Sequence, residues 1–257
     1  MVVSHKFKYV FIEVPSTGST AISAELVNYY AGEKILRKHA NFTEFRELYP
    51  REAREYFVFA TVRNPLDMIV TEYTKMKGNH KEQYTTPKFF ERNGGFVPDL
   101  QLEWFKFIQS GDAEFSDFFR RYRAAIYHNW FLVCHDRFDY IMRFENLTDE
   151  FAKALELIGI EAARPLQKVN KTRMKDRRFD EYYDETVHNL AWQAYGPFMR
   201  QWGYEPPEGW QCERLSVAES LKYRAKEMIV NSAGRFMTIS PFSPTVQRIK
   251  SIVDAIV

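Results

Sequence analysis

The feature that most constrains this chain is a predicted strand, tight turn and helix within its first thirty residues. Residues 9–14 form a short run of apolar, β-branched and aromatic side chains, which is typical of a buried strand. Pro15 ends that run, residues 16–20 are small and rich in hydroxyls, and apolar residues recur at helical spacing from Ala21 onward. Such a turn directs backbone N–H groups and hydroxyls toward the positive end of a helix, where an anion can bind. The alternative is an ordinary strand-to-helix turn capped by a Ser or Thr.

A second predicted strand leads into another candidate anion-binding loop. Residues 56–62 are apolar and aromatic, and Arg63 stands where this strand ends. Pro65 suits the first turn of a helix because its missing N–H would have no partner there, and Thr71 lies two helical turns further on. Ligands of open α/β sheets bind beside the carboxyl ends of the strands. We therefore expect both loops to open onto one crevice.

Together these stretches resemble the sulfotransferase family that uses 3′-phosphoadenosine 5′-phosphosulfate (PAPS). The family's first motif, Pro-Lys-Thr-Gly-Ser/Gly-Thr, corresponds to Pro-Ser-Thr-Gly-Ser-Thr at residues 15–20, and its second motif corresponds to residues 63–73. Residues 57–65 resemble the branch of the family that sulfates carbohydrates. The resemblance extends over about residues 7–205, because weaker matches follow in the expected order at residues 142–147, 169–172 and 182–204.

The resemblance implies a binding role for each matched residue. The 5′-phosphosulfate would be held by the turn residues Ser16, Thr17, Gly18, Ser19 and Thr20. The 3′-phosphate would be held by Arg63 and Thr71, and a basic loop that contains Lys171 and Arg173 would close over the nucleotide. The resemblance implies no metal ion.

His39 is the candidate catalytic base. In the carbohydrate branch that the chain resembles, a His between the first helix and the second motif can deprotonate the acceptor hydroxyl, and His39 occupies that interval. A His side chain suits this task because its ordinary pKa, about 6.5, lies close to neutral pH. Apart from the resemblance, the position of His39 favours a surface or capping residue ahead of a helix, because a single His is weak evidence of a base.

Two residues depart from the family pattern. The Lys of the first motif is replaced by Ser16, and the second Arg of the other motif is replaced by Met68. The family's Lys steadies charge on the leaving phosphate, and losing one such donor costs about 10²–10³ in rate. Either another cation takes over, or the chain binds nucleotide without fast chemistry. The candidate replacements are Arg37, Lys38, Lys171 and Arg173.

Composition excludes some classes of function. The 36 basic and 34 acidic residues nearly cancel, which argues against a dedicated nucleic-acid-binding protein. The sequence has only two cysteines, Cys134 and Cys212, which show no metal-ligand spacing. They could form at most one disulfide, which favours a reducing compartment. The sequence shows no secretory signal and no apolar run long enough to span a bilayer. These features predict a cytoplasmic protein, unless the sequence is a piece of a Golgi-anchored enzyme.

The pattern of elements predicts an α/β fold with three layers, in which helices cover both faces of a short central parallel sheet. Residues 138–144 predict a third strand, and Glu145 beyond it is expected to have a structural role. Residues 43–54 predict one helix, and residues 75–99 predict a long loop that either grips the acceptor or is a solvated insertion.

The sulfotransferase-like domain is expected to cover residues 1–207. A helical extension at residues 208–257 would follow, and its last helix would pack on the domain or form a homodimer contact.

The predicted activity is transfer of a sulfuryl group from PAPS to a hydroxyl of a small-molecule or glycan acceptor, which leaves 3′,5′-adenosine bisphosphate (PAP). One alternative is a nucleotide-binding homologue with weak or no turnover, which the replacements at Ser16 and Met68 would explain. Another is ATP-dependent phosphoryl transfer. The absence of a loop Lys and of an evident Asp to hold Mg²⁺ after a strand counts against this second alternative.

Overall fold

The structure, a computed structural model, describes residues 1–40, 42–111, 114–129, 132, 138–167 and 176–236. These residues form five strands, which are β1 (Val2–Ser4), β2 (Tyr9–Ile12), β3 (Glu33–Lys34), β4 (Phe57–Val62) and β5 (Tyr140–Arg143). They also form nine helices, which are α1 (Ser19–Tyr29), α2 (Phe42–Leu48), α3 (Glu52–Glu55), α4 (Pro65–Lys77), α5 (Asp99–Gln109), α6 (Phe115–Tyr122), α7 (Leu147–Ile158), α8 (Glu185–Gln201) and α9 (Val217–Phe236).

The five strands form one sheet in the order β3-β1-β2-β4-β5. The three strands predicted from the sequence are the parallel part, in which Phe59 of β4 pairs with Phe11 of β2 and with Tyr140 of β5. The α/β class and the parallel centre of the sheet are therefore confirmed. Two short strands that the sequence did not predict, β1 and β3, extend the sheet by antiparallel pairing.

The central strands are apolar along their whole length because both faces of the sheet are covered, as is usual for parallel strands. All four residues of β2 are buried, and so are residues 58–62 of β4. The core beside them combines sheet residues with one face each of α1 and α7, and it includes Val2, Tyr9, Phe11, Ile22, Leu26, Tyr30, Phe59, Met142, Phe151, Ala154 and Leu155.

Two predicted boundaries were wrong and one was confirmed. The single helix expected at residues 43–54 is broken into α2 and α3, because Pro50 lacks an N–H and disfavours helical backbone at Tyr49. The loop expected from residue 75 begins later, since α4 continues to Lys77 and short 3₁₀ turns follow it. The end of α7 at Gly159 is as predicted, with a φ of 82° at that residue.

The chain divides into two compact units. The first comprises the described residues within Met1–Asn64, Asn129–Lys171 and Glu227–Pro241, and it contains the sheet, α1 and α7. The second comprises those within Pro65–His128 and Thr172–Lys226, and its core is aromatic. In the second unit, Phe115 meets the Tyr183 ring edge-on with ring centroids 4.6 Å apart. The domain boundary predicted after residue 207 stays a prediction.

None of the helices in the described ranges combines the length and the hydropathy needed to cross a membrane. The terminal helix predicted within residues 246–257 lies outside the described residues. The homodimer contact through that helix and the cytoplasmic location therefore stay predictions.

Candidate active site

The predicted anion-binding turn lies between β2 and α1. Its backbone enters the left-handed region twice, with a φ of 62° at Ser16 and 78° at Gly18, the N-cap of α1. A Cβ atom on Gly18 would lie 2.6 Å from Leu147 Cδ2, so a side chain at this position would require Leu147 to move. The N–H groups at the start of a helix lie beyond its regular hydrogen-bond pattern and carry partial positive charge, and here the Ala21 N–H bonds back to the Gly18 carbonyl at 3.0 Å. The turn thus has the form of an anion cradle.

The side chains of the turn differ in what they can offer a ligand. Thr17 is fully buried, and its hydroxyl donates a hydrogen bond of 2.9 Å to the carbonyl of Val14, which ties the turn to the end of the strand. Ser19 is also buried, whereas Ser16 and Thr20 are exposed. Hydroxyl contacts to a ligand are therefore expected from Ser16 and Thr20, and backbone contacts from the other turn residues.

Arg63 fastens the turn to the neighbouring strand. It follows β4 and is only 7% exposed, and its Nη1 donates to the Ser16 carbonyl at 2.8 Å. Its guanidinium also lies over the Phe144 ring, 4.3 Å from the ring centroid. Arg63 therefore places a permanent positive charge directly beside the turn.

The loops that follow β4 and β5 are also joined. The backbone N–H of Asn64 donates to Glu145 Oε1 at 2.8 Å, which confirms the structural role predicted for Glu145. The carboxyl ends of three neighbouring parallel strands are thus held together by side chains, as expected for an α/β ligand site.

His39 is held at the carboxyl end of β2. Its Nδ1 lies 2.6 Å from the backbone carbonyl oxygen of Glu13, and the residue itself has a left-handed backbone with a φ of 61°. A carbonyl oxygen can only accept, so Nδ1 carries the proton and the lone pair of the neutral ring is on Nε2. Arg37 donates to the carbonyl of His39 at 3.2 Å and fixes the segment further.

The surroundings of His39 keep its ring neutral. Burial lowers the pKa of His39 below its usual value, the hydrogen bond to Glu13 partly opposes this, and the charge of Lys38 lowers the pKa again. The imidazole is consequently unprotonated near neutral pH, with the Nε2 lone pair available to accept a proton.

Glu13 is a buried acidic residue of the candidate site that the sequence analysis did not single out. Its side chain is buried, and its carboxylate accepts hydrogen bonds from the Ser23 hydroxyl at 2.7 Å and from the amino group of Met1. Burial alone would raise the pKa of Glu13, but these donors outweigh it and the net pKa is lowered. The available signal in the sequence was an acidic residue inside an otherwise apolar strand run.

Two of the candidate replacement cations are placed by the structure. Arg37 is paired with Glu44, with Nη2 and Oε2 2.6 Å apart. Lys38 reaches the turn, where its Nζ donates to the hydroxyl of Thr20 at 3.1 Å. The other two candidates, Lys171 and Arg173, lie outside the described residues.

The comparison with known families agrees with this geometry. The profile described as "Sulfotransferase family" matches residues 1–195, which is most of the chain. The chain belongs to the sulfotransferase family. Members of this family generally use PAPS as the sulfuryl donor. No curated protein and no solved structure matches the chain.

Two positions of the family's second motif, Met68 and Thr71, lie in the second unit. Thr71 lies on α4 with only 2% of its surface exposed, and its hydroxyl donates to the carbonyl of Asp67 at 2.9 Å. Met68, which replaces the family's second Arg, lies 3.9 Å from the hydroxyl of Tyr127. Contact between Thr71 and a 3′-phosphate stays a prediction.

A groove of about 450 Å³ lies where the sequence predicted an acceptor-gripping loop or a solvated insertion. Tyr84 is buried at this groove and stacks on Phe105, with ring centroids 5.3 Å apart and an interplanar angle of 15°. Charged side chains rim the groove, among them the ion pair of Arg92 with Asp99 at 3.0 Å.

Within the described part of this sulfotransferase-family chain, no cluster of three or more His, Cys, Asp or Glu side chains could hold a metal ion.

Proposed function

We propose that the protein transfers a sulfuryl group from PAPS to a hydroxyl of a carbohydrate acceptor. The observation that carries this proposal is that the carboxyl end of β2 leads into the anion-binding turn and also holds a neutral His. The carbonyl of Glu13 holds His39, and Ser16 begins the turn three residues later. PAPS supplies an electrophilic sulfur on a good leaving group. The acceptor oxygen forms a bond to sulfur, the bond between sulfur and the phosphate oxygen breaks, and PAP leaves.

His39 would take the proton of the acceptor hydroxyl on Nε2 as the new oxygen–sulfur bond forms. The hydrogen bond from Nδ1 to the Glu13 carbonyl becomes stronger when the ring gains charge, because the donor is then cationic. Glu13 thus both orients the ring and stabilises its protonated form. This is the arrangement expected for a general base whose second nitrogen is fixed by a hydrogen bond.

The residues at the turn fit the anionic groups of PAPS. The start of α1 supplies N–H donors, and Gly18 gives the turn its left-handed backbone close to Leu147. Arg63 contributes a buried positive charge beside Ser16. As the family resemblance implies, we assign Arg63 and Thr71 to the 3′-phosphate, and Lys171 and Arg173 to a loop that closes over the nucleotide.

A carbohydrate acceptor is supported by the resemblance of residues 57–65 to the carbohydrate branch and by the groove of the second unit. Sugar rings present C–H faces that pack on aromatic rings, and their hydroxyls bond to charged side chains. The groove combines Tyr84, Phe90 and Phe105 with Arg92 and Glu103, which is the mixture that such a ligand requires.

The central experiment measures PAP release from PAPS in the presence of a panel of glycan acceptors. The wild type should turn over with at least one acceptor, and His39→Gln should lower kcat by about 10²–10⁴, the usual contribution of a general base. His5→Gln is the matched control, because His5 is exposed in the same unit and bonds to Tyr56. Near-normal turnover by His39→Gln would contradict the assignment of the base.

Thermal unfolding with PAP, ADP, or ATP and Mg²⁺ distinguishes the remaining candidates. A ligand at about 100 times its dissociation constant stabilises the folded state by about 2.7 kcal/mol. Stabilisation by PAP without turnover would favour a nucleotide-binding homologue. The replacement of two basic motif residues by Ser16 and Met68 would explain such a result. Stabilisation only by ATP with Mg²⁺ would favour phosphoryl transfer and would contradict the proposal.

A further inference from the structure

We propose that Lys38 supplies the cation that the turn lacks at Ser16, and that it stabilises the charge on the leaving phosphate. The inference rests on the proposed sulfuryl transfer. It names a residue that is outside both family motifs, since Lys38 lies in the segment between α1 and α2.

The position of the ammonium group is the first argument. Nζ of Lys38 lies 3.1 Å from the hydroxyl oxygen of Thr20, which is in the first turn of α1. The ammonium group has three N–H donors, and the bond to Thr20 uses one of them. Both side chains are exposed, so a phosphate bound at the turn can reach the same ammonium group.

The second argument is that the two neighbouring arginines, Arg37 and Arg63, are bonded to other groups of the site. Arg37 is paired with Glu44 and also bonds to the carbonyl of His39. Arg63 is buried, bonds to the carbonyl of Ser16 and stacks on Phe144. Both guanidinium groups therefore hold the architecture of the site, whereas the long side chain of Lys38 is directed at the hydroxyl face of the turn.

The backbone around Lys38 is the third argument. Leu36 and His39, on either side of it, both adopt left-handed backbone, with φ values of 59° and 61°. Non-Gly residues in this region carry a cost and persist where the surrounding contacts require them, often at functional sites. The same short segment thus presents the proposed base and the proposed cation.

The chemistry requires a cation at this place. When the bond from sulfur to the phosphate oxygen breaks, negative charge grows on PAP. A positive group that is already in place stabilises this charge without reorganisation, so it stabilises the transition state and the PAP product more than it stabilises bound PAPS. Lys38 would therefore act in the transition state, and its loss should lower kcat more than it weakens the binding of PAPS.

The test compares Lys38→Met with the wild type, with Lys34→Met as the matched control. Lys34 is an exposed Lys on β3, only four residues away in the sequence. We expect Lys38→Met to lower kcat by about 10² or more, the usual effect of losing one such donor, with PAPS affinity by calorimetry without acceptor changed less than tenfold. The control should keep wild-type kcat. Unfolding midpoints would show that the variants are folded.

A rescue variant makes the test specific. In Ser16→Lys/Lys38→Met the cation returns from the family's own position, so kcat should recover at least tenfold over Lys38→Met. The proposal is overturned if Lys38→Met keeps kcat within threefold of the wild type, if PAPS affinity falls as much as kcat, or if the rescue variant stays as slow. Failure of the wild type itself to bind PAP or to release it from PAPS would instead refute the sulfuryl transfer on which the inference rests.

Discussion

The Gly18→Ala substitution tests whether the turn is built around the absence of a side chain. Two costs add at this position. An Ala with left-handed backbone is disfavoured by about 1–2 kcal/mol, and the φ of Gly18 is 78°. The new methyl group would also lie 2.6 Å from Leu147 Cδ2 and 3.4 Å from the Phe144 ring, and such overpacking costs about 1–3 kcal/mol.

The expected loss of stability is therefore about 2–5 kcal/mol, a large share of the 5–15 kcal/mol typical of a folded domain. Gly159→Ala is the matched control. It lies in the same unit with a φ of 82°, but a Cβ there would meet nothing within 4 Å. Both substitutions restrict the unfolded chain equally, so this effect cancels in the comparison. The difference between them isolates the steric cost, about 1–3 kcal/mol.

Urea unfolding, followed by circular dichroism, measures both free energies. Leu147→Ala provides a second check, because it removes the atom that the new methyl group would meet. The double substitution Gly18→Ala/Leu147→Ala should cost less than the sum of the two single substitutions. If Gly18→Ala is no more destabilising than Gly159→Ala, the turn has room for a side chain and the argument from close approach is wrong.

Three further predictions follow from the site. Because burial and Lys38 lower the pKa of His39, the acid limb of the kcat/KM profile should have its midpoint below pH 6.5, with activity lost as the pH falls through the folded-state pKa. A midpoint at or above 6.5 would argue against His39 as the base. Arg63→Met removes the charge beside Ser16 and should weaken PAP binding at least tenfold by calorimetry, while unchanged affinity would remove Arg63 from the binding site. Thr17→Val removes the hydrogen bond to Val14 and should lower the free energy of unfolding by about 1–3 kcal/mol, which includes the cost of leaving the buried carbonyl unpaired. A urea midpoint equal to that of the wild type would contradict this last prediction.

The elements that could be predicted from the sequence are those with a local signal. The three central strands are mostly apolar stretches of four to six residues, and the turn before α1 is marked by Pro15 and its small hydroxyl residues. Strands β1 and β3 were missed because three and two residues are too few to show a period. The pairing of β3 with β1, such as that of Lys34 with Val2, also depends on contacts that are distant in the sequence.

In the candidate site, too, local signals could be predicted from the sequence and tertiary contacts could not. The family resemblance pointed to His39, but the Glu13 carbonyl that orients its ring is a tertiary contact across 26 residues of sequence. The sequence proposed four cations in place of the loop Lys without ranking them. Only the three-dimensional structure shows that Arg37 is paired with Glu44 and that Lys38 reaches Thr20.

The bond from Arg63 to Ser16 has a consequence for the order in which the protein folds. It joins residues that are 47 positions apart, through two strands that become neighbours only when β2 and β4 pair. Such distant contacts are usually made late, because closing a long loop costs chain entropy before any contact forms. The completed anion cradle is therefore expected to be absent from the folding transition state. A nucleotide that binds this cradle would slow unfolding and leave the folding rate almost unchanged.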